Sequence, residues 1–254
     1  MNPFAAEYAR ARVDPSPNCG KRRGGVRPDA LILHYTGMES AEAAQKRLCA
    51  PDSEVSAHYL VHEDGNVVQM VREEARAWHA GRSSWRGVED VNSFSIGIEI
   101  VNPGHDKGYP DFPEPQIEAL IALCRDVCRR HAIPPQRVLG HSDVAPGRKV
   151  DPGEKFPWDR LAREGVGHYV PPAPPCAGKA LAEGDAGQAV AELQATLAAY
   201  GYGLDETGVY DGRTAVVVSA FQRHFRPARI DGVADPSTRD TLARLIAALP
   251  QIPG

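Results

Sequence analysis

Two histidines and one aspartate stand in sequence contexts that could hold a metal ion. His34 ends the short apolar run 31–33, where a side chain emerges at the edge of a sheet. His141 and Asp151 lie ten residues apart in GHSDVAPGRKVDPG, a loop rich in proline and glycine. Two imidazoles and one carboxylate, with a water in the fourth position, would form an open zinc site. Spacing alone leaves a second interpretation open, in which these are ordinary loop residues.

The segments around these residues alternate between strand and helix patterns. Short apolar runs with turn residues on either side indicate strands, and apolar residues at the helical period indicate helices. The predicted strands are 31–34, 58–62, 67–71 and 94–101, and the predicted helices are 41–50 and 117–128. Because the order is β-α-β-β-β-α, we predict an α/β fold in which helices pack on a mixed β-sheet.

A proline-rich seam divides the chain. The segment VPPAPP at 170–175 is extended, since proline at this density joins neither a helix nor an inner strand. Beyond it, GVYDGRT at 208–214 recurs as GVADPST at 232–238, and Asp211 and Asp235 can each cap a helix with an apolar face. A small domain of three helices is therefore expected after the seam. The predicted division is residues 1–169, a linker at 170–178, and residues 179–254.

Composition excludes several classes of protein. The 254 residues are 42% hydrophobic and 24% charged, which is ordinary for a globular protein and unlike a disordered chain. The net charge is −4, so there is no basic excess to bind nucleic acid. No stretch reaches 18 consecutive apolar residues, and we expect no membrane span. The five cysteines form no pattern of paired CxxC motifs; Cys124 and Cys128 are expected to be thiols on one apolar helix face.

Five motifs occur in order along the first part of the chain. They are ILHYT with His34, SAHYLV with His58, AWHAG with Trp78 and His79, NSFSIGIE ending at Glu99, and the GHSDVAPGRKVDPG loop. From about residue 19 to 158 the chain resembles zinc-dependent N-acetylmuramoyl-L-alanine amidases of the type 2 amidase family. It is similar to the AmiD and AmpD branch, which is related to peptidoglycan-recognition proteins. Residues 184–249 resemble the peptidoglycan-binding type 1 domain through GDAGQAVAELQ, the repeated turns and AFQ.

The resemblance assigns roles to individual residues. It implies that His34, His141 and Asp151 hold one Zn²⁺ per chain, and that Glu99 and Lys149 are the catalytic pair. Amide hydrolysis needs an activated water, and Zn²⁺ brings the pKa of bound water near 7. A carboxylate at a strand end can transfer the proton, and a cation can stabilise the oxyanion. The alternatives without a catalytic role are that Glu99 is a strand-end carboxylate bound to backbone N–H groups and that Lys149 is a solvated loop lysine.

Other residues of the same motifs are candidates for lesser roles. Trp78, His79 and Arg148 are candidate substrate contacts, with Arg148 able to bind a carboxylate through two hydrogen bonds, although Trp78 could equally belong to the core. Related phage amidases carry a catalytic tyrosine before the position of His58, where this chain has alanine, so Glu99 is favoured as the base. His58 is expected to be a packed strand residue. Asp143 is expected to orient the ligand loop or a histidine ligand.

The function implied by the resemblance is hydrolysis of the amide between N-acetylmuramic acid, or its anhydro form, and L-alanine. The substrate would be peptidoglycan or muropeptides. Two alternatives stay open: a non-catalytic peptidoglycan-recognition module, and a peptidase that cuts between stem amino acids. The C-terminal domain is expected to bind wall polymer, to contact glycan through exposed residues such as Tyr202 and Tyr210, and not to be needed for the chemistry. We expect a monomer, and a cytoplasmic location for the chain as given or a periplasmic or outer-membrane one for a longer exported precursor.

Overall fold

A computed structural model describes residues 4–250 and contains two sheets surrounded by helices. The strands are β1 (Ala11–Val13), β2 (Cys19–Lys21), β3 (Ala30–Tyr35), β4 (Tyr59–Val61), β5 (Val67–Gln69), β6 (Ala75–Ala77), β7 (Ser95–Ile100) and β8 (Val138–Gly140). The helices are α1 (Ala41–Cys49), α2 (Val91–Phe94), α3 (Glu114–His131), α4 (His141–Val144), α5 (Trp158–Arg163), α6 (Gln188–Tyr200), α7 (Gly212–Phe225) and α8 (Pro236–Ala247).

The main sheet is mixed, as the sequence predicts. Its six strands lie in the order β1-β5-β4-β7-β3-β8, and only the β4–β5 pair is antiparallel. The small sheet pairs β2 with β6 in antiparallel orientation. Since β3, β7 and β8 run parallel, their carboxyl ends meet at one edge of the sheet. That edge carries His34 opposite Glu99 in register, and His141 directly after β8.

The two faces of the sheet are covered by different parts of the chain. On one face, Leu31 and Leu33 of β3 pack in a buried cluster with Leu120 and Cys124 of α3. Helix α3 presents its apolar side to the sheet because these residues recur at the helical period. Cys124 is buried and Cys128 packs against the same cluster, as expected. The α/β fold with helices on a mixed sheet is therefore confirmed.

The C-terminal part forms the three expected helices, α6, α7 and α8. The side chain of Asp211 accepts a hydrogen bond from the backbone of Thr214, and Asp235 does the same for Thr238. These are N-caps, which satisfy backbone N–H groups that a helix start leaves free. Pro236 occupies the first turn of α8, where its missing N–H costs nothing.

The C-terminal helices share a hydrophobic core with the rest of the protein. Ile32 of β3, Trp85 and Val144 belong to one buried cluster with Phe221 and Phe225 of α7. The C-terminal helices therefore cover the second face of the sheet. The sequence predicts a small domain of three helices without showing what covers their apolar faces, and in the fold the sheet covers them. The domain boundaries themselves stay a prediction.

Two tyrosines of the C-terminal part are placed differently from the expectation. Tyr202 and Tyr210 are 2% and 1% exposed, so the prediction that they lie on the surface is wrong. The hydroxyl of Tyr210 donates to the carbonyl of Gly232 at 2.6 Å. The predicted linker is anchored to helix α8, since the backbone N–H of Ala173 donates to the hydroxyl of Thr241 at 2.9 Å. Within residues 4–250, no helix has the length and apolar character that a membrane crossing requires.

Candidate active site

Three predicted ligands converge at the carboxyl edge of the sheet. Nδ1 of His34 lies 2.9 Å from Nδ1 of His141, and Oδ2 of Asp151 lies 3.1 Å and 2.9 Å from these two nitrogens. All three side chains are buried. The loop that carries Asp151 returns to the start of helix α4, where the backbone carbonyl of Asp151 accepts a hydrogen bond from the N–H of Ser142 at 2.9 Å. One strand end, one helix start and one loop thus contribute one predicted ligand atom each.

The donor atoms of this cluster suit a metal ion better than they suit one another. Nε2 of His141 lies 3.0 Å from the carbonyl of Ala80, which can only accept, so this nitrogen carries the proton and Nδ1 carries a lone pair. That lone pair points toward an imidazole nitrogen of His34 and toward a carboxylate oxygen. Two nitrogens and one carboxylate oxygen form a donor set typical of an open zinc site.

The protonation states also favour metal binding. Burial and the neighbouring His141 lower the pKa of His34 to about 4, so its imidazole is neutral at pH 7. Burial alone would raise the pKa of Asp151, but the two histidines outweigh it and hold the pKa below its usual range. A neutral imidazole and an ionised carboxylate are the forms that bind a metal, and no proton has to be displaced from them.

His79 lies behind His34. Its Nδ1 is 3.0 Å from Nε2 of His34, and its Nε2 is 3.3 Å from the hydroxyl of Ser95. The hydroxyl of Ser95 donates its proton to the carbonyl of Val91, so its oxygen accepts a hydrogen bond from Nε2 of His79. Nδ1 of His79 therefore carries a lone pair and accepts a hydrogen bond from Nε2 of His34. This chain of hydrogen bonds leaves Nδ1 of His34 free to bind metal. Gly97 makes room for the His79 ring, since a Cβ there would lie 2.3 Å from it.

Glu99 and Lys149 line the same cavity as the three ligands. The cavity has a volume of about 470 Å³ and also borders Trp78 and Arg148. Oε2 of Glu99 is buried and has no hydrogen-bond partner within residues 4–250. Burial and the charge of Asp151 raise the pKa of Glu99 well above its ordinary value, whereas the charge of Lys149 opposes that rise. A buried carboxylate oxygen without a partner in the described residues, next to a cluster that could hold a metal ion, is suited to proton transfer.

Comparison with known proteins agrees with this geometry. The N-acetylmuramoyl-L-alanine amidase family model matches residues 24–154. The chain is 38% identical over 229 residues to the N-acetylmuramoyl-L-alanine amidase AmiD of Escherichia coli strain K12, covering 82% of this chain and 79% of AmiD. The chain belongs to the N-acetylmuramoyl-L-alanine amidase family. A family model for a peptidoglycan binding domain matches residues 186–242.

Two solved structures resemble the amidase over most of its length. AmiD from E. coli, in complex with anhydro-N-acetylmuramic acid-L-Ala-D-gamma-Glu-L-Lys, superimposes with a TM-score of 0.75 at 34% identity and covers 89% of this chain and 91% of AmiD. AmpDh3 from Pseudomonas aeruginosa superimposes with a TM-score of 0.74 at 32% identity and covers 98% of this chain and 100% of AmpDh3.

The three candidate substrate contacts differ in their surroundings in the amidase. Trp78 is half-buried and borders the cavity. Arg148 is exposed, and its Nε donates to the carbonyl of Arg82 at 2.9 Å, which orients the guanidinium beside the cavity. His79 is buried, and both of its ring nitrogens contact His34 or Ser95. A substrate contact stays a prediction for all three residues. His79 is in addition placed to orient the imidazole of His34.

His58 lies away from the ligand cluster, in agreement with the expectation for it. Its Nδ1 accepts a hydrogen bond from the N–H of Gly97 at 2.9 Å, and its Nε2 lies 3.2 Å from the guanidinium of Arg22. Burial and the charge of Arg22 lower the pKa of His58 to about 3, so the ring is neutral. His58 therefore supports strand β7, on which Glu99 lies.

Some residues of the amidase site were missed from the sequence. The side chain of Asn92 accepts hydrogen bonds from the N–H groups of His79 and Ala80, and so orients the segment that contacts His34 and His141. A signal was present at Gly97, because a glycine inside an inner strand indicates a close approach by another group. No sequence signal pointed to the two side-chain partners of Asp143, which are Tyr202 in the loop after α6 and His224 on α7.

Proposed function

We propose that this chain hydrolyses the amide bond between the lactyl group of N-acetylmuramic acid, or its anhydro form, and L-alanine. The observation that carries the proposal is the cluster of His34, His141 and Asp151, with Glu99 and Lys149 on the same cavity wall. Family membership supports it. AmiD and AmpDh3 have been solved with an anhydro-muramyl peptide bound, which supports muropeptides or peptidoglycan as the substrate class here.

The proposed metal ligands are His34, His141 and Asp151, holding one zinc ion per chain. When bound, zinc would polarise the amide carbonyl and make a nucleophile of water at neutral pH. The convergence of their three donor atoms and the orienting contacts of His79 and Ala80 support this assignment. Contacts behind a ligand contribute strongly to metal affinity, because they set the tautomer and orientation of the imidazole.

Glu99 is proposed as the proton-transfer group. Its carboxylate would accept a proton from the attacking water and deliver it to the nitrogen of the leaving L-alanine. The hydroxyl group of the water remains on the lactyl carbonyl carbon, so the products are a carboxylate and a free amine. The unpartnered, buried Oε2 of Glu99 supports this role, because no competing hydrogen bond within the described residues has to be broken.

Lys149 is proposed to stabilise the negative charge on the carbonyl oxygen. Lys149→Met should lower kcat on a soluble anhydro-muropeptide by about 10²–10³-fold, since loss of one oxyanion donor has that cost. The charge of Lys149 also lowers the pKa of Glu99, so its removal should move the acidic limb of the pH–rate profile to higher pH. Lys155→Met, which affects a lysine bonded to the Tyr109 carbonyl, is the matched control. Unchanged kcat in Lys149→Met would refute this role.

A non-catalytic recognition module is the main alternative function. A recognition module would need only a groove. This cavity instead combines three donor atoms that could hold a metal ion with a carboxylate oxygen, Oε2 of Glu99, that has no hydrogen-bond partner in the described residues. Mass spectrometry of the products from a soluble anhydro-muropeptide separates the possibilities. Our proposal predicts anhydro-N-acetylmuramic acid and an intact stem peptide with a free N-terminal alanine. Intact substrate would indicate recognition only, and shorter peptides would indicate a peptidase.

We further propose that residues 1–169 form the amidase part, 170–178 a linker, and 179–254 a wall-binding part. The match to a peptidoglycan binding domain supports the last assignment. A second binding site of this kind would raise the local concentration of the enzyme on insoluble substrate. The full chain should then still sediment with sacculi when a soluble muropeptide saturates its active site. Complete release by the soluble muropeptide would contradict a separate wall-binding site.

Removal of residues 168–254 should destabilise the amidase part. The shared core includes Ile32, Leu139 and Val144, and exposing each such side chain costs about 1.5–3 kcal/mol. We expect a lower unfolding midpoint in thermal denaturation and a reduced kcat on a soluble muropeptide, with the full chain as control. A truncated protein with an unchanged midpoint and normal kcat would show that the C-terminal helices are independent of the chemistry.

A further inference from the structure

The carboxylate of Asp143 joins the ligand-bearing helix α4 to the C-terminal helices. Asp143 lies two residues after His141 and is 1% exposed. Its Oδ2 accepts hydrogen bonds from the N–H of Gly140 at 2.8 Å and from Nδ1 of His224 at 2.7 Å, and its Oδ1 accepts from the hydroxyl of Tyr202 at 2.8 Å. Both side-chain donors therefore come from the C-terminal part.

Aromatic packing holds these two donors in place. The imidazole of His224 lies between the rings of Trp158 and Phe225, with ring centroids 3.7 Å and 3.8 Å away in stacked orientation. The ring of Tyr202 contacts Trp85 edge-on at 5.0 Å. Neither donor can rotate away from Asp143 without breaking this packing, because a close-packed interior leaves little free volume.

A second connection runs through the segment 80–86. The N–H of Ser84 donates to the carbonyl of Val144, the last residue of α4, at 2.8 Å. Two residues later, the N–H of Arg86 donates to the carbonyl of Gly201 at 2.8 Å. The same segment begins with the carbonyl that lies against Nε2 of His141. Helix α4 is thus linked to the C-terminal part in two ways: directly through Asp143, and from Val144 through the segment 80–86.

We propose that Tyr202 and His224 are positioning residues for the reaction, acting through Asp143 on the orientation of the His141 imidazole. A buried carboxylate needs donors, and one that loses a donor has to move or take up water. Such a movement would shift α4, whose first residue is the ligand. This inference rests on the proposed function for its catalytic consequence, but the mechanical link can be measured without activity.

Three variants of the full-length chain separate positioning from general stability. Tyr202→Phe removes one hydroxyl and keeps the ring, and His224→Phe keeps the stacking and removes the donor. His224→Asn restores a donor near the position of Nδ1. Tyr210→Phe is the matched control, because Tyr210 is an equally buried tyrosine of the C-terminal part whose hydroxyl donates to a local backbone carbonyl.

The measurements are zinc affinity by competition with a chromophoric chelator, kcat and KM on a soluble anhydro-muropeptide, and hydrogen exchange of the α4 amides. Tyr202→Phe and His224→Phe should each weaken zinc affinity on the order of 10-fold. They should also lower kcat more than they raise KM and increase exchange in His141–Val144. His224→Asn should recover most of the zinc affinity. Tyr210→Phe should match the wild type in zinc affinity and in α4 exchange, whatever its melting temperature.

The inference is overturned if Tyr202→Phe and His224→Phe behave like Tyr210→Phe in zinc affinity and in α4 exchange. It is also overturned if His224→Asn, which keeps a donor and lacks the ring, is more impaired than His224→Phe in zinc affinity and in α4 exchange, since the stacking and not the hydrogen bond would then hold α4 in place. A wild-type protein that binds no zinc would refute the proposed function. The exchange data would still decide the inference in that case, because they report the order of α4 without metal or substrate.

Discussion

Glu99→Gln should lower kcat on a soluble anhydro-muropeptide by about 10²-fold or more, while the protein still folds and binds zinc. The amide of glutamine has nearly the shape of the carboxylate but cannot accept the proton of the attacking water. Product formation is followed by mass spectrometry, and zinc content by elemental analysis. Glu164→Gln, at an exposed glutamate beside Arg125, is the control for a charge change alone.

Near-normal turnover in Glu99→Gln would contradict the proposed role of this residue. The water would then have to lose its proton to another group on the cavity wall. Loss of zinc along with activity would instead show that Glu99 supports the metal site. The two readouts together therefore separate proton transfer from metal binding.

His141→Ala should abolish both zinc binding and activity. The imidazole supplies one of three converging donor atoms, and the remaining nitrogen and carboxylate oxygen leave zinc with two protein ligands, one fewer than a catalytic site provides. Elemental analysis should find one zinc per chain in the wild type and little in the variant. His131→Ala is the matched control, since that histidine lies at the end of α3 and contacts Glu73. Full zinc content in His141→Ala would contradict the ligand assignment.

Much of the amidase part could be predicted because its signals are local. Apolar runs predicted strands at 31–34 and 94–101. These two strands run parallel in the fold, which brings His34 and Glu99 close to one edge of the sheet. The aspartates of the repeat were predicted to cap helices, and both do so. The ligand roles came from a motif resemblance, since the nine residues between His141 and Asp151 do not by themselves indicate where the chain returns.

The docking of the C-terminal helices could not be predicted because it depends on which surfaces meet. Helical periodicity shows that Phe221 and Phe225 share an apolar face, but it does not show what covers that face. A proline-rich seam suggests two separate modules, whereas Ala173 within it is anchored to Thr241. Tyr202 resembled an exposed loop residue, and only the fold shows that its hydroxyl reaches the carboxylate of Asp143, two residues from the proposed metal ligand His141.

The most direct test of the account is a zinc titration of the chelated wild-type protein, with the cleaved bond identified by mass spectrometry at each point. We predict no hydrolysis without metal and a linear rise to a plateau at one equivalent of zinc per chain. The products throughout should be anhydro-N-acetylmuramic acid and a stem peptide that begins with free L-alanine. Hydrolysis of this amide at full rate by the metal-free protein, or cleavage at any other bond, would contradict the account.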